Sequence, residues 1–224
     1  MKFVLFAAFL LLLWLAWRKW QQAGRARFIE DFALVERLDH RLAARRPELD
    51  AAQRAQVFDA LRDYFRICNA AGRRMVAMPS QAVDDAWHEF ILFTRQYDSF
   101  CRRAFGRFLH HTPAEAMASP RVASDSIKRS WRLACAHEGI DPKQPARLPR
   151  LFAIDAALGI AGGFVYQLDC RSGHNSASGS GFCASHIGCS SGCSGDTGSS
   201  GNSGNTSDGD AGDGGGGGCG GGGD

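Results

Sequence analysis

Residues 78–111, MPSQAVDDAWHEFILFTRQYDSFCRRAFGRFLHH, hold the side chains that acid–base and metal chemistry use. Asp84 and His88 are four apart, so on a helix they share a face, one turn from each other. In that arrangement His88 is a base or a metal ligand and Asp84 orients it, as carboxylates commonly orient metal-bound imidazoles. His110 or His111 then reaches across from the next segment. Together Asp84 and His88 are the candidate catalytic pair. His88, His110 and His111 are the candidate ligands for zinc or another divalent metal. The spacing differs from H-E-x-x-H, which sets two His on one helical turn with a Glu base. In the structural alternative, Trp87 fills the core, Asp84 and His88 bond each other, and His110 and His111 pack near a helix start.

Other reactive side chains point elsewhere. Cys101 falls on an apolar stripe, where a thiol is an inert core residue rather than an exposed, activated thiolate. Cys135 and His137 are two apart and do not share a helical face. Asp63 and Arg66 suit a surface pair. Late in the chain, Cys170, His174, Cys183, His186, Cys189 and Cys193 include enough ligands for a tetrahedral zinc. Their Gly/Ser surroundings offer nothing to orient them.

The elements that must position these groups are helical. Val83, Trp87, Phe90/Ile91, Thr94, Tyr97, Cys101 and Ala104/Phe105 recur every three or four residues, the spacing of a buried helical stripe. This predicts one central helix starting at Pro79 with Ser80 as N-cap and ended or bent at Gly106. Before it, residues 25–46 predict a helix with Phe28, Phe32, Val35, Leu38 and Leu42 inward. Its basic end, Arg45-Arg46, suits a helix C-terminus, and Pro47 breaks it. Residues 50–71 predict an antiparallel neighbour ended by Gly72. After the centre, Thr112-Pro113-Ala114-Glu115 reads as a capping box. Ser119-Pro120 starts a helix with Ile127, Trp131 and Cys135 inward, ending at Gly139. Residues 151–158 predict a short helix, and 164–168 a short strand, one arm of a hairpin.

The central motif Asp84-Asp85-Ala86-Trp87-His88, followed by Tyr97, Cys101, Gly106 and His110-His111, resembles that of the glycine-rich domain-containing protein family over residues 51–111. Many members carry Trp-His-x-His; here Phe90 stands at the second His position. The resemblance implies no reaction, because that family has no established activity.

Residues 3–17 are an unbroken apolar run. With Lys2, Arg18 and Lys19 snorkelling, it reaches the lower limit of a spanning helix. It ends LWLAWRKW, without the small-residue pattern of a signal cleavage site, and Trp14, Trp17 and Trp20 suit an interfacial belt. Lys2 stands before the run; Arg18, Lys19, Arg25 and Arg27 follow it. The positive-inside rule therefore puts the rest of the chain in the cytoplasm. The separated Cys68, Cys101 and Cys135 agree with a reducing compartment. A net charge of +3 over 224 residues is too small to suggest nucleic acid.

The expected architecture is mainly α. A transmembrane anchor (1–20) precedes a helical-bundle domain (25–168) and a disordered Gly/Ser/Asp-rich tail (171–224), too poor in apolar surface to offset the cost of ordering. The protein is expected to be single-pass, with domain and tail cytoplasmic. Its partners are membrane lipid through the first helix and a protein partner. The leading functional expectation is a membrane-tethered scaffold or interaction module. The alternative is a metal-dependent, hydrolase-like enzyme built on the Asp-x-x-Trp-His motif.

Overall fold

The computed structural model describes residues 2–112, 119–168, 182–183 and 187. Among them the chain forms α1 (Lys2–Asp31), α2 (Leu34–Arg45), α3 (Ala51–Ala71), α4 (Gln81–Ile91), α5 (Thr94–Phe105), α6 (Pro120–Glu138) and α7 (Arg150–Ala157). Two short strands, β1 (Tyr166–Gln167) and β2 (Phe182–Cys183), pair in parallel. The mainly α expectation holds. Residues 113–115 of the expected capping box and most of residues 169–224 lie outside the described residues; of the late ligand set only Cys183 is among them.

Helix α1 is long and apolar enough to cross a membrane. Its first half is exposed, from Phe3 to Trp20, while Ile29 at its far end is buried. One continuous helix thus carries the apolar run directly into the domain, where Phe28 packs on Phe100. The single helix expected over residues 25–46 is divided at Phe32–Ala33, its first part continuing α1. The Leu34 amide donates to the Phe32 carbonyl at 2.8 Å, and Ala33 has φ −73° and ψ 70°, the geometry of an inverse γ-turn.

The central helix is likewise two. It breaks at Leu92-Phe93, where Phe93 has φ −82° and ψ 58°, similar to Ala33, and the Phe93 amide donates to the Phe90 carbonyl at 3.0 Å. Neither break contains Gly or Pro. The two turns let Phe32, Phe90 and Phe100 meet, with ring centroids 4.8–5.6 Å apart, at separations where aromatic pairs gain beyond simple burial.

Helix α3 is the centre of the packing. It touches α1, α2, α4, α5, α6 and α7, and its Phe65 meets Trp87, Phe90, Phe100 and Phe105. Its start is a capping box: Asp50 accepts from the Gln53 amide at 2.8 Å, and Gln53 accepts from the Asp50 amide at 2.9 Å. Helix α6 starts at Ser119 with Pro120 in its first turn, and Gly139 closes it at φ 67°. The expected strand forms, but its partner is β2 in parallel rather than a hairpin arm. Ile187 is also buried in the core. Chain beyond Leu168 therefore completes this core.

Candidate functional site

Helix α4 presents the site, and its N-terminus is held from outside. Ser80 accepts from the Val83 amide at 3.2 Å, as an N-cap should. Ser80 Oγ in turn donates to Asp155 Oδ1 at 2.6 Å. The amides of Gln81 (2.7 Å), Ala82 (3.2 Å) and Phe164 (2.9 Å) also donate to the Asp155 carboxylate. Asp155 is buried. A carboxylate at the positive end of a helix dipole, accepting several N–H bonds, is well placed. One face of α4 is fastened by salt bridges to α2. The buried Asp85 receives Arg46 Nε at 2.7 Å, and Arg41 Nε lies 2.7 Å from Glu89. Arg46, expected only to suit the end of a helix, thus has a specific carboxylate partner.

Asp84 sits in the first turn of α4 and His88 one turn later. His88 Nδ1 lies 2.8 Å from the Asp84 backbone carbonyl and 3.3 Å from Asp84 Oδ2. The closer partner of the Asp84 carboxylate is His111, whose Nε2 is 2.8 Å from Oδ1. The His88 and His111 rings have centroids 4.3 Å apart. His111 also lies edge-on to Trp87, at 4.6 Å. Of the two adjacent histidines only His111 reaches the site; His110 is exposed and lies against Phe108.

A buried relay selects His111. Trp87 Nε1 donates to Tyr97 Oη at 3.0 Å, and Tyr97 Oη donates to the Leu109 carbonyl at 2.5 Å. This fixes the backbone two residues before His111. Gly106 turns the chain toward that point with φ 70°, a left-handed conformation that glycine adopts without steric cost. A Cβ there would also lie 2.5 Å from the Arg25 guanidinium. Arg107 Nη2 donates to the Gly72 carbonyl at 2.7 Å, tying the same segment to the end of α3. Cys101 is buried against this relay. Burial raises its thiol, and contacts with the Leu109 backbone and Tyr97 partly offset that. It is a packing residue.

Among the described residues, Asp84, His88 and His111 each offer a ligand atom, all within 4.8 Å of one another. A tetrahedral zinc-class ion with bonds of about 2.0–2.1 Å sets its donors about 3.3 Å apart; the Asp84 carboxylate stands 3.3 Å from His88 Nδ1 and 2.8 Å from His111 Nε2. His88 is the more open of the two histidines, its side chain 48% exposed against 14% for His111. Beside the cluster a cavity of about 170 Å³ is lined by Tyr64, Cys68, Trp87, His111 and the arginines Arg73, Arg74 and Arg107.

Two groupings had gone unread. Asp63 is buried and not a surface residue. It lies 3.1 Å from His137 Nε2 and 3.4 Å from Arg150, and Arg66 pairs with Glu30 instead. Asp155 carried a usable signal: it is the lone acid in the apolar stretch LFAIDAAL, and a buried carboxylate must find donors.

The fold and the cluster define a class: a mainly helical domain continuous with a membrane-length apolar helix, carrying Asp84 and His88 on one core helix with His111 brought against them. The chain belongs to the UCP032817-like family, whose model matches residues 24–187. The match begins on α1 after its apolar run and ends at the buried Ile187. No curated protein and no solved structure matches the chain.

Proposed function

We propose that this protein is a membrane-tethered module whose helical domain faces the cytoplasm and binds a divalent metal ion through Asp84, His88 and His111. The convergence of these three donors, supplied by α4 and by a segment placed by Trp87 and Tyr97, carries the reading. Three protein ligands leave a zinc-class ion an open position for water, as in catalytic rather than structural sites. Hydrolysis, with metal-bound water as nucleophile, is the reaction class such an ion serves. The cationic residues after the apolar run support the cytoplasmic orientation. The resemblance of the Asp84–His88 motif to the glycine-rich domain-containing family belongs to this reading and adds no reaction to it.

The 2.8 Å contact between Asp84 and His111 favours a second reading, in which the pair latches the segment after α5 onto α4 and the domain serves as a scaffold. Metal content of the full-length protein in detergent, measured by elemental mass spectrometry, separates the two. The metal reading expects one equivalent of a divalent ion, lost in His88→Ala and His111→Ala but kept in His110→Ala. Zinc held by the late cysteines would not depend on His88, so dependence on His88 is the decisive observation. Metal content indifferent to His88 and His111 leaves the scaffold.

A further inference from the structure

A groove of about 550 Å³ runs where the apolar helix meets the domain. It is lined by Leu15, Arg18, Lys19 and Arg25 of α1 and by Arg73 and Arg74 just beyond α3. No carboxylate lines it, and none among the described residues forms a salt bridge with any of these five cations. Their grouping is built in. Gln22 Nε2 donates to the Asn69 carbonyl at 3.3 Å, and Asn69 Nδ2 donates to the Gln22 carbonyl at 3.1 Å. This reciprocal pair clamps α1 to the end of α3 and brings Arg73 and Arg74 beside Arg18 and Lys19. Clustered like charges repel, and an anion relieves them.

The groove also has a polarity along α1. Leu15 marks its apolar end, and the cations begin one turn later. The apolar run of residues 3–17 rises about 22 Å, less than the roughly 30 Å of bilayer hydrocarbon. The short span draws the membrane surface down to the groove. We propose that this groove binds the phosphate-bearing headgroup of an anionic phospholipid, with Leu15 facing the start of its acyl chain and the Arg/Lys group taking the charge. A second groove, on another side of α1, shares Arg25 and adds Arg27 and Arg103, while its Arg102 is paired with Asp98.

The test is native mass spectrometry of the full-length protein released from mixed micelles containing equal phosphatidylglycerol and phosphatidylcholine. Retention of phosphatidylglycerol is expected to exceed that of phosphatidylcholine at least tenfold. The preference should fall at least threefold in Arg73→Gln/Arg74→Gln or in Arg18→Gln/Lys19→Gln, and stay unchanged in Lys2→Gln on the opposite membrane face. Circular dichroism melting of each variant checks that it is folded. Equal retention of the two lipids by the wild type overturns the proposal. So does a preference that survives both paired substitutions, or one abolished by millimolar inorganic phosphate, which would mark a site for free anions.

Discussion

His111 Nε2 stands 2.8 Å from Asp84 Oδ1 across 27 residues of chain, so the tertiary partner of Asp84 is the distant histidine. The near one, His88, bonds chiefly to backbone. With chelator present, His111→Ala should cost about 1–3 kcal/mol, because a partly buried carboxylate loses a charge-assisted bond. His88→Ala, at a half-exposed position, should cost under about 1 kcal/mol, within the range of ordinary surface substitutions. A urea-denaturation cycle over Asp84→Ala and His111→Ala should show coupling; independent, additive effects would contradict the contact.

Asp155 should be among the most sensitive positions in the domain. Replacing it with Ala strips the partners of one hydroxyl and three amides at the start of α4 and before β1. A loss of about 3–5 kcal/mol is expected, as for other buried charges removed from a satisfied network. Ser80→Ala should cost only about 0.5–2 kcal/mol, the range of an N-cap. Gly163→Ala should also destabilise, since its Cβ would sit 2.8 Å from Asp155 Cβ. Chemical denaturation of the three variants tests this order.

The buried Ile187 and the pairing of β1 with β2 predict unequal effects of truncation. Ending the chain after residue 192 should leave the unfolding midpoint nearly unchanged. Ending it after residue 168 should cost at least about 1.5–3 kcal/mol, the burial of one large aliphatic side chain. Equal stability of the two truncated chains would show that Ile187 adds nothing.

Burial pushes the Cys68 thiol up to about 12 and the Cys135 thiol up to about 11, and it raises Cys101 as well. At pH 8 the native protein should therefore resist iodoacetamide at all three, and urea should open all three to labelling. Peptide mapping distinguishes them from the later cysteines. Rapid native labelling of Cys101 would mean an activated thiolate.

Asp63 gives the domain an acid-range signature. Burial raises its carboxyl above the ordinary 3.8, and the charges of Arg150 and His137 only partly oppose this. A raised folded value means the folded state binds the proton more tightly. The resulting stability is complete below the unfolded value and is lost as pH rises through the folded one. Asp63→Asn removes that loss. The stability difference, variant minus wild type, should therefore increase as pH rises upward from 3.8. Urea titrations at pH 3–6 check the sign, and a flat or falling difference would refute it.

Much of the fold was legible because it is written locally. Ser80, Ser119 and Asp50 cap helices with their own side chains, and Gly72, Gly106 and Gly139 close them at positive φ. The stripe from Val83 to Phe105 marks most of a buried face, but its Thr94 is exposed and the buried Phe100 falls outside it. It did not reveal that the face bends, because the turn at Phe93, like the one at Ala33 in the first helices, contains no Gly or Pro. Those turns are stabilised by the ring cluster of Phe32, Phe90 and Phe100, which exists only after packing.

By itself the sequence determined the helical class, the membrane-length apolar helix and the stretch where a site would form, since periodicity, capping and unbroken apolar runs act over one or two turns. Only the tertiary structure decided between His110 and His111. Neighbours on an irregular segment differ in nothing but direction, and Tyr97, by holding the Leu109 carbonyl, sets that direction. Tertiary structure also paired Asp155 with α4, Asp85 with Arg46, and Asp63 with His137. Each joins groups far apart in the chain, and a buried carboxylate takes its partner from whichever donor the packed core brings within hydrogen-bond reach.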